Sequence, residues 1–374
     1  MKSVLITGAT GVVGSALAPL FLNEPDTEVW LLLRAADESK LQQRLQGLFD
    51  YWGADISSAS ARQRVKAVRG DVSESHLGLA PQDYTTLSQR LTHIVHGAAS
   101  VKLNLSEAEA RRNSVVAIAN ILELVDACRA NGQFRKLDYI STVGVAGRRQ
   151  GLVPEEPLPE QREFHNTYES AKAEAERLLL LRSSQGLAAT IHRPSMVVGN
   201  SRTGKIIHFQ VFYYLSRFFS GEFSFGIVPK LTEVRLDTIP SDYMAAAIHW
   251  ASGTEQVTGR ILHLCSGPDQ AIPIMKLVSI IRANRAAHGD ALPPLRPVPM
   301  PLFKLCLKPL EWLSGHGQRL ANLPPFLDYM QDRQLFDNQR SAELLAAVGI
   351  VLPVPQDYLD NVLTFYAQAR QSRK

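Results

Sequence analysis

The chain has 374 residues, 45% of them hydrophobic and 20% charged, with a formal net charge of +4. This composition supports a large buried core and excludes wholesale disorder, and so small a net charge argues against a dedicated nucleic-acid binder. The length suits one large α/β unit or one domain with a smaller companion.

The first two-thirds of the chain alternates strand and helix signals. A short apolar run at residues 4–6 ends in a glycine turn, and residues 12–22 then have helical spacing. Further strands are expected at 28–33, 64–68, 93–96, 137–141 and 188–192, with helices at 40–49, 108–130 and 167–183 between them. Strand–helix alternation with nearly all-apolar strands predicts a parallel sheet covered on both faces. The expected architecture is an α/β Rossmann-type doubly wound sheet over residues 1–200. A smaller, mostly helical C-terminal substrate-binding lobe over 201–374 partly returns to the main sheet. In that second part, residues 206–219, 234–239, 241–251, 260–264 and 274–285 mix helical and extended patterns, and two helices end the chain near 341–348 and 356–369.

The segment Thr7-Gly8-Ala9-Thr10-Gly11-Val12-Val13-Gly14 has the form GxxGxxG between the first strand and first helix. Glycines permit the tight turn and let backbone approach a pyrophosphate, and the following helix start offers free N–H groups. This context makes Gly8, Thr10, Gly11, Val12, Val13 and Gly14 candidate dinucleotide-binding residues. Where a site for a free ribose 2′-hydroxyl usually carries Asp or Glu after the second strand, this chain has Arg34, with Arg44 on the next helix. Arginine favours a 2′-phosphate through charge-assisted hydrogen bonds, which points to NADP(H).

Tyr168-Glu169-Ser170-Ala171-Lys172 has the form YxxxK, which puts phenol and ammonium on one helix face. An ammonium beside a phenol would lower its pKa and let it exchange a proton near neutral pH. Such a pair also occurs on exposed amphipathic helices, but here it opens the helix after the fifth strand. That strand runs into Ser141-Thr142-Val143-Gly144, where a hydroxyl at the carboxyl end of a central strand faces the ligand crevice. Thr142, in preference to Ser141, would bond a substrate carbonyl oxygen and the oxyanion formed on reduction.

Together these motifs resemble the extended short-chain dehydrogenase/reductase superfamily over about residues 1–270. The resemblance adds Asp71 and Val72 after the third strand, Gly97-Ala98-Ala99 after the fourth, Ser141, and Pro194 of Arg193-Pro194 as cofactor contacts. It also implies that Tyr168 and Lys172 contact the cofactor. Within that superfamily the chain looks most like the thioester reductase branch, which includes carboxylic acid reductase terminal domains and fatty acyl-CoA reductases. The residues that carry this likeness are Gly70-Asp71 followed by Leu77-Gly78-Leu79, Leu33-Arg34-Ala35, Gln43-Arg44-Leu45 and His96-Gly97-Ala98-Ala99-Ser100-Val101. Two departures are Lys102, where the branch usually has Asn, and Asn113-Ser114-Val115-Val116-Ala117, where its Gly-Thr is lost.

The resemblance implies hydride transfer from NADPH to an acyl thioester carbonyl, giving an aldehyde and, after a second transfer, an alcohol. Thr142 and Tyr168 would hold the oxyanion, Tyr168 would give the proton, and Lys172 would tune Tyr168 and bind ribose. The acyl group would be carried by coenzyme A or an acyl carrier protein, whose arm can pass residues 201–205, a stretch that otherwise reads as a solvated loop. Rival readings are a sterol-like or nucleotide-sugar substrate, or an NADP-binding sensor without catalysis. Leucines and aromatics interleaved with Lys304 and Lys308 in residues 295–327 suggest a core or lid segment, or peripheral membrane contact. Cys128, Cys265 and Cys306 form no CxxC pair and the histidines lack ligand spacing. Neither a disulfide framework nor a metal site is expected, and a cytoplasmic setting is. The uncharged stretch 3–23 superficially resembles a secretion signal, but its glycines and Pro19 interrupt it.

Overall fold

The computed structural model describes residues 1–56, 58–231, 234–305, 329 and 333–372. Seven strands form one sheet: β1 (Lys2–Thr7), β2 (Thr27–Leu33), β3 (Val65–Arg69), β4 (His93–His96), β5 (Lys136–Ile140), β6 (Ala189–Pro194) and β7 (Ile261–Leu264). Every pairing is parallel, and the order is β7-β6-β5-β4-β1-β2-β3. The order reverses between β1 and β4. In open α/β sheets that fork, at the carboxyl ends of the strands, is where ligands bind.

The main helices are α1 (Val12–Leu22), α2 (Glu38–Trp52), α3 (Pro81–Arg90), α4 (107–130), α5 (Thr167–Ser184), α6 (Val211–Phe219), α7 (Ser241–Ser252), α8 (Ile274–Ala287), α9 (Gln339–Ala346) and α10 (Pro355–Gln371). The central strands are buried on both faces, as their near-continuous apolar runs require, whereas the edge strand β3 exposes Lys66 and Arg69. Leu17, Ala18 and Phe21 of α1 share one core with Met244, Ala247, Ile248 and Ala251 of α7. On the opposite face, Ile118, Ile121 and Val125 of α4 pack with Leu5, Ile94 and Leu137 of the strands. Thus the segment 241–264 rejoins the sheet, supplying α7 to one face and β7 to its edge. A separate aromatic core joins α6, α8 and α10 through Phe212, Phe218, Phe219, Leu277, Ile281, Tyr358 and Val362.

Two local features differ from a plain strand–helix reading. The long helix expected at 108–130 contains a π turn at Arg112–Val116, where the Asn113 side-chain amide donates to the Glu109 carbonyl at 2.7 Å. Such widened turns need an extra residue per turn and interrupt an otherwise regular ladder. Ahead of Leu79, the His76-Leu77-Gly78 segment is a tight left-handed turn. His76 and Leu77 have φ of 50° and 59°, and the Asp71 N–H donates to the Leu77 carbonyl at 2.7 Å. Two buried leucines, Leu77 and Leu79, and the Asn120 amide bonding Val72 and Glu74 carbonyls hold that turn.

Of the segment 295–327, residues 306–327 lie outside the described residues. Its first part is in part core: Arg296–Val298 pairs with Ile227–Pro229, and Phe303 is fully buried against Phe218, whereas Leu302 and Leu305 are exposed. Among the described residues no helix is long and apolar enough to cross a membrane.

Candidate active site

The glycine turn is shaped by backbone contact. Gly8 has φ of 76°, and a Cβ there would come within 2.8 Å of the Ala98 nitrogen and the Gly97 carbonyl. A Cβ on Gly14 would meet Ala9 and Gly8 backbone at 2.6 Å, so α1 can pack close to β1 only with glycine there. The turn closes through Gly11 N–H donating to the Gly8 carbonyl at 2.9 Å, and among the described residues no side chain caps the start of α1. Its first amides therefore face the fork with the positive end of the helix behind them. Thr10 and Val13 are half-buried on the turn, and Val12 is buried against the second core. Thr7 locks the turn to β4: its hydroxyl meets His96 Nδ1 at 2.8 Å and accepts from the Ala98 N–H at 3.2 Å. Gly97 and Ala98 thus cross directly over the glycine turn, and Ala99 beyond them is exposed.

At the ends of β2 and β3 stands a second group. Arg34 is 71% exposed, and its guanidinium lies 3.9 Å from the Asp71 carboxylate. The other Asp71 oxygen accepts from the Ser73 N–H and hydroxyl, both at 2.9 Å, which fixes the acid after β3. Arg69, which sequence reasoning passed over, donates to the Ala36 carbonyl at 2.9 Å and pins the strand end that carries Arg34. Arg44 is exposed on α2, and Val72 is buried in the core.

The hydroxyl and the phenol expected at the chemical centre come together. Thr142 is extended at the end of β5, and its hydroxyl accepts from the Gly144 N–H at 3.1 Å. Tyr168 opens α5, whose N-cap Asn166 accepts from the Glu169 N–H at 3.1 Å. Burial pushes the Tyr168 phenol up to about 12; the Thr142 hydroxyl nearby offsets part of that, and the Glu169 carboxylate adds to it. Lys172 lies one turn on and is buried. Its Nζ donates to the Ile140 carbonyl at 2.6 Å and sits 4.4 Å over the Tyr139 ring. Here the structure corrects the expectation of a lowered tyrosine pKa. The ammonium is directed to the end of β5 and desolvation dominates at the phenol, which raises its pKa instead of lowering it. Burial also lowers Lys172 to about 7, against the opposing pull of the Glu176 carboxylate.

Behind these groups lies a buried network absent from the sequence reading. Glu176, one turn beyond Lys172, accepts from the Ser141 hydroxyl at 2.6 Å and from Arg193 Nε at 3.1 Å, and also pairs with the Arg193 terminal nitrogen. Ser141 therefore spends its side chain on this acid. Arg193 also donates to the Glu156 carbonyl at 3.0 Å and meets His263 at 3.2 Å, tying β6 to β7. Pro194 is buried at the end of β6. A single carboxylate thus joins the ends of β5 and β6 to the helix bearing Tyr168 and Lys172. Its signal was present, since Tyr168, Lys172 and Glu176 follow i, i+4, i+8 spacing and Arg193 is a charge in a buried strand.

The 201–205 loop is anchored. Ser201 donates to Asp242 at 2.6 Å, Asn361 donates to the Ser201 carbonyl at 2.9 Å, and Lys205 lies 4.6 Å over the Tyr51 ring. Arg202 and Thr203 are exposed.

Residues 6–248 match a family model for NAD binding described as "Male sterility protein". The chain is 30% identical over 274 residues to the aldehyde reductase lnaA of Aspergillus flavus, covering 70% of this chain and 25% of that protein. It is 25% identical over 349 residues to the putative fatty acyl-CoA reductase CG8303 of Drosophila melanogaster, covering 81% of this chain and 61% of that one. Among solved structures, the terminal R domain from the myxalamid PKS-NRPS biosynthetic pathway superposes with a TM-score of 0.83 at 25% identity. That match covers 99% of this chain and 91% of the domain. The chain therefore spans a quarter of the length of the first relative and under two-thirds of the second.

Proposed function

The chain belongs to the family described as male sterility protein, an oxidoreductase family with an NAD(P)-binding domain, and on that premise we propose that it reduces acyl thioesters to aldehydes with NADPH. The observation that carries this reading is the placement of Thr142 at the end of β5 and of Tyr168 and Lys172 in the first turns of α5, one strand from the glycine turn at the β1–β4 fork. Relatives named as an aldehyde reductase and a fatty acyl-CoA reductase support the product and the substrate class.

The residues present fit a dinucleotide. A Cβ would fill the cradle at Gly8, the amides at the start of α1 are uncapped, and Arg34 stands exposed beside Asp71. The first two would receive a pyrophosphate and Arg34 a 2′-phosphate, with Gly97, Ala98 and Ala99 alongside. When bound, the nicotinamide supplies the hydride. Thr142 and Tyr168 would donate hydrogen bonds to the thioester oxygen and hold it as negative charge develops there. The neutral Tyr168 phenol would then protonate that oxygen, giving a hemithioacetal. Cleavage of its C–S bond releases thiol and aldehyde. Lys172, held by Ile140 at the cleft floor, would bind ribose hydroxyls. The acyl group would arrive on coenzyme A or an acyl carrier protein.

The test is aldehyde trapping and NADPH oxidation with acyl-CoA, a carrier-bound acyl thioester, a 3-ketosteroid and a nucleotide sugar. Thioester-dependent aldehyde is expected, and turnover of only the last two would refute the substrate reading. For the coenzyme, Arg34→Ala should weaken NADPH binding by roughly tenfold or more while leaving NADH binding nearly unchanged. Equal affinity of the parent for both would remove the preference.

A further inference from the structure

The first turn of α5 carries more than its catalytic phenol. The His165 side chain is 2% exposed and the Glu169 side chain 1%. The His165 main-chain N–H donates to Glu169 Oε2 at 2.9 Å, and the ring Nδ1 lies 2.9 Å from the same oxygen, which selects the tautomer with Nδ1 protonated. The other carboxylate oxygen faces the Thr142–Gly144 turn, where a Cβ on Gly144 would come within 3.3 Å of it. Glu169 is therefore wedged between the two segments that bear Tyr168 and Thr142.

A third partner arrives from far along the chain. The Tyr329 ring stacks on His165, with centroids 4.4 Å apart and an angle of 26°. Its hydroxyl accepts from Asn166 Nδ2 at 2.7 Å, while Asn166 Oδ1 caps α5 through the Glu169 N–H. One amide thus joins the cap of the catalytic helix to a residue of the C-terminal part. Burial, followed by the Glu169 carboxylate beside it, pushes the Tyr329 phenol upward, so it remains a neutral hydroxyl. Packing alone would not require a buried carboxylate, which is costly to desolvate, at this position.

We propose that His165, Glu169 and Tyr329 form one positioning device, in which the Tyr329 phenol docks on a platform flanking Tyr168 and fixes where that phenol stands relative to Thr142. None of the three touches the reacting atoms; they act through the first turn of α5. The proposal rests on Tyr168 as the proton donor, and it ties the C-terminal part of the chain to the chemistry. A catalytic group displaced by a fraction of an ångström loses rate while binding persists.

The experiment uses the full chain and whichever carbonyl substrate the parent reduces, so a wrong substrate class leaves it intact. Tyr329→Phe keeps the ring on His165 and removes the bond to Asn166, and Glu169→Gln removes the charge. Each should lower kcat about tenfold, with KM and coenzyme Kd within about twofold of the parent, and the double variant should be no slower than the slower single. Should Glu169→Gln fail to fold, Asn166→Ser, which retains a capping oxygen but cannot reach Tyr329, takes its place with the same expectation. Unchanged kcat in Tyr329→Phe, multiplicative losses in the double variant, or loss of coenzyme affinity in step with kcat would overturn the device.

Discussion

The glycine turn after β1 and the hydroxyl pair after β5 open toward the same end of the sheet, but they are made of different material. The turn is backbone against backbone: Gly8 and Gly14 leave no room for a Cβ, and the contacts across it are main-chain atoms and one threonine hydroxyl. The carbonyl side is built from side chains that hold each other, with Glu176 gripping Ser141 and Arg193 below, and Asn166, His165 and Glu169 framing Tyr168 above. A backbone site fails only when a new atom is forced into it. A side-chain site fails by deletion, because each lost partner leaves a buried polar group exposed to no solvent.

That contrast can be broken by experiment. The largest stability effect should come from the carbonyl side: Glu176→Ala leaves Arg193 buried without its carboxylate and should destabilise the fold by about 3–5 kcal/mol in urea denaturation. A loss near zero would mean that the network is replaceable. At Gly8 there is no side chain to delete, and insertion should act. Gly8→Ala forces a Cβ to 2.8 Å from Ala98 and Gly97 backbone at a positive φ, and should cost about 1–3 kcal/mol and weaken coenzyme binding together. Tight binding in that variant would show that the turn can relax.

A smaller effect concerns Lys172. Its folded value, about 7, lies below the ordinary lysine value of 10.5, so between those pH values the unfolded chain binds more protons than the folded one. Stability should therefore rise with pH across that window, and below about pH 7 the buried ammonium gives no such slope. In a pH series of melting curves, Lys172→Met should lose this rise. An identical slope in both proteins would contradict a buried, easily deprotonated lysine.

The same contrast explains what could be read from sequence. The glycine turn is contiguous and its strand–turn–helix context is local, so the parallel sheet and the glycine turn at its end are legible in the sequence. Tyr168 and Lys172 were legible as an i, i+4 pair, and Thr142 as a hydroxyl at a strand end. Their mutual relation was misjudged, because the direction of Nζ is set by the Ile140 carbonyl and the Tyr139 face, which spacing does not report. Glu176 lay in plain view two turns past Tyr168. The Asn166–Tyr329 contact, by contrast, joins residues 163 positions apart, and no local pattern announces it. The segment after 241 reads as a mixed lobe that partly returns to the main sheet; that α7 covers one face and β7 adds the edge strand is not announced, because a four-residue strand carries little periodicity.

The central claim is that the Tyr168 phenol is the proton donor beside a separately built coenzyme site. It is tested most directly by aldehyde formation from an acyl thioester in the parent and in Tyr168→Phe, with coenzyme Kd measured on the same preparations. A fall in kcat of about 10²–10⁴-fold at unchanged coenzyme affinity is the predicted result. Full turnover by the variant would contradict it.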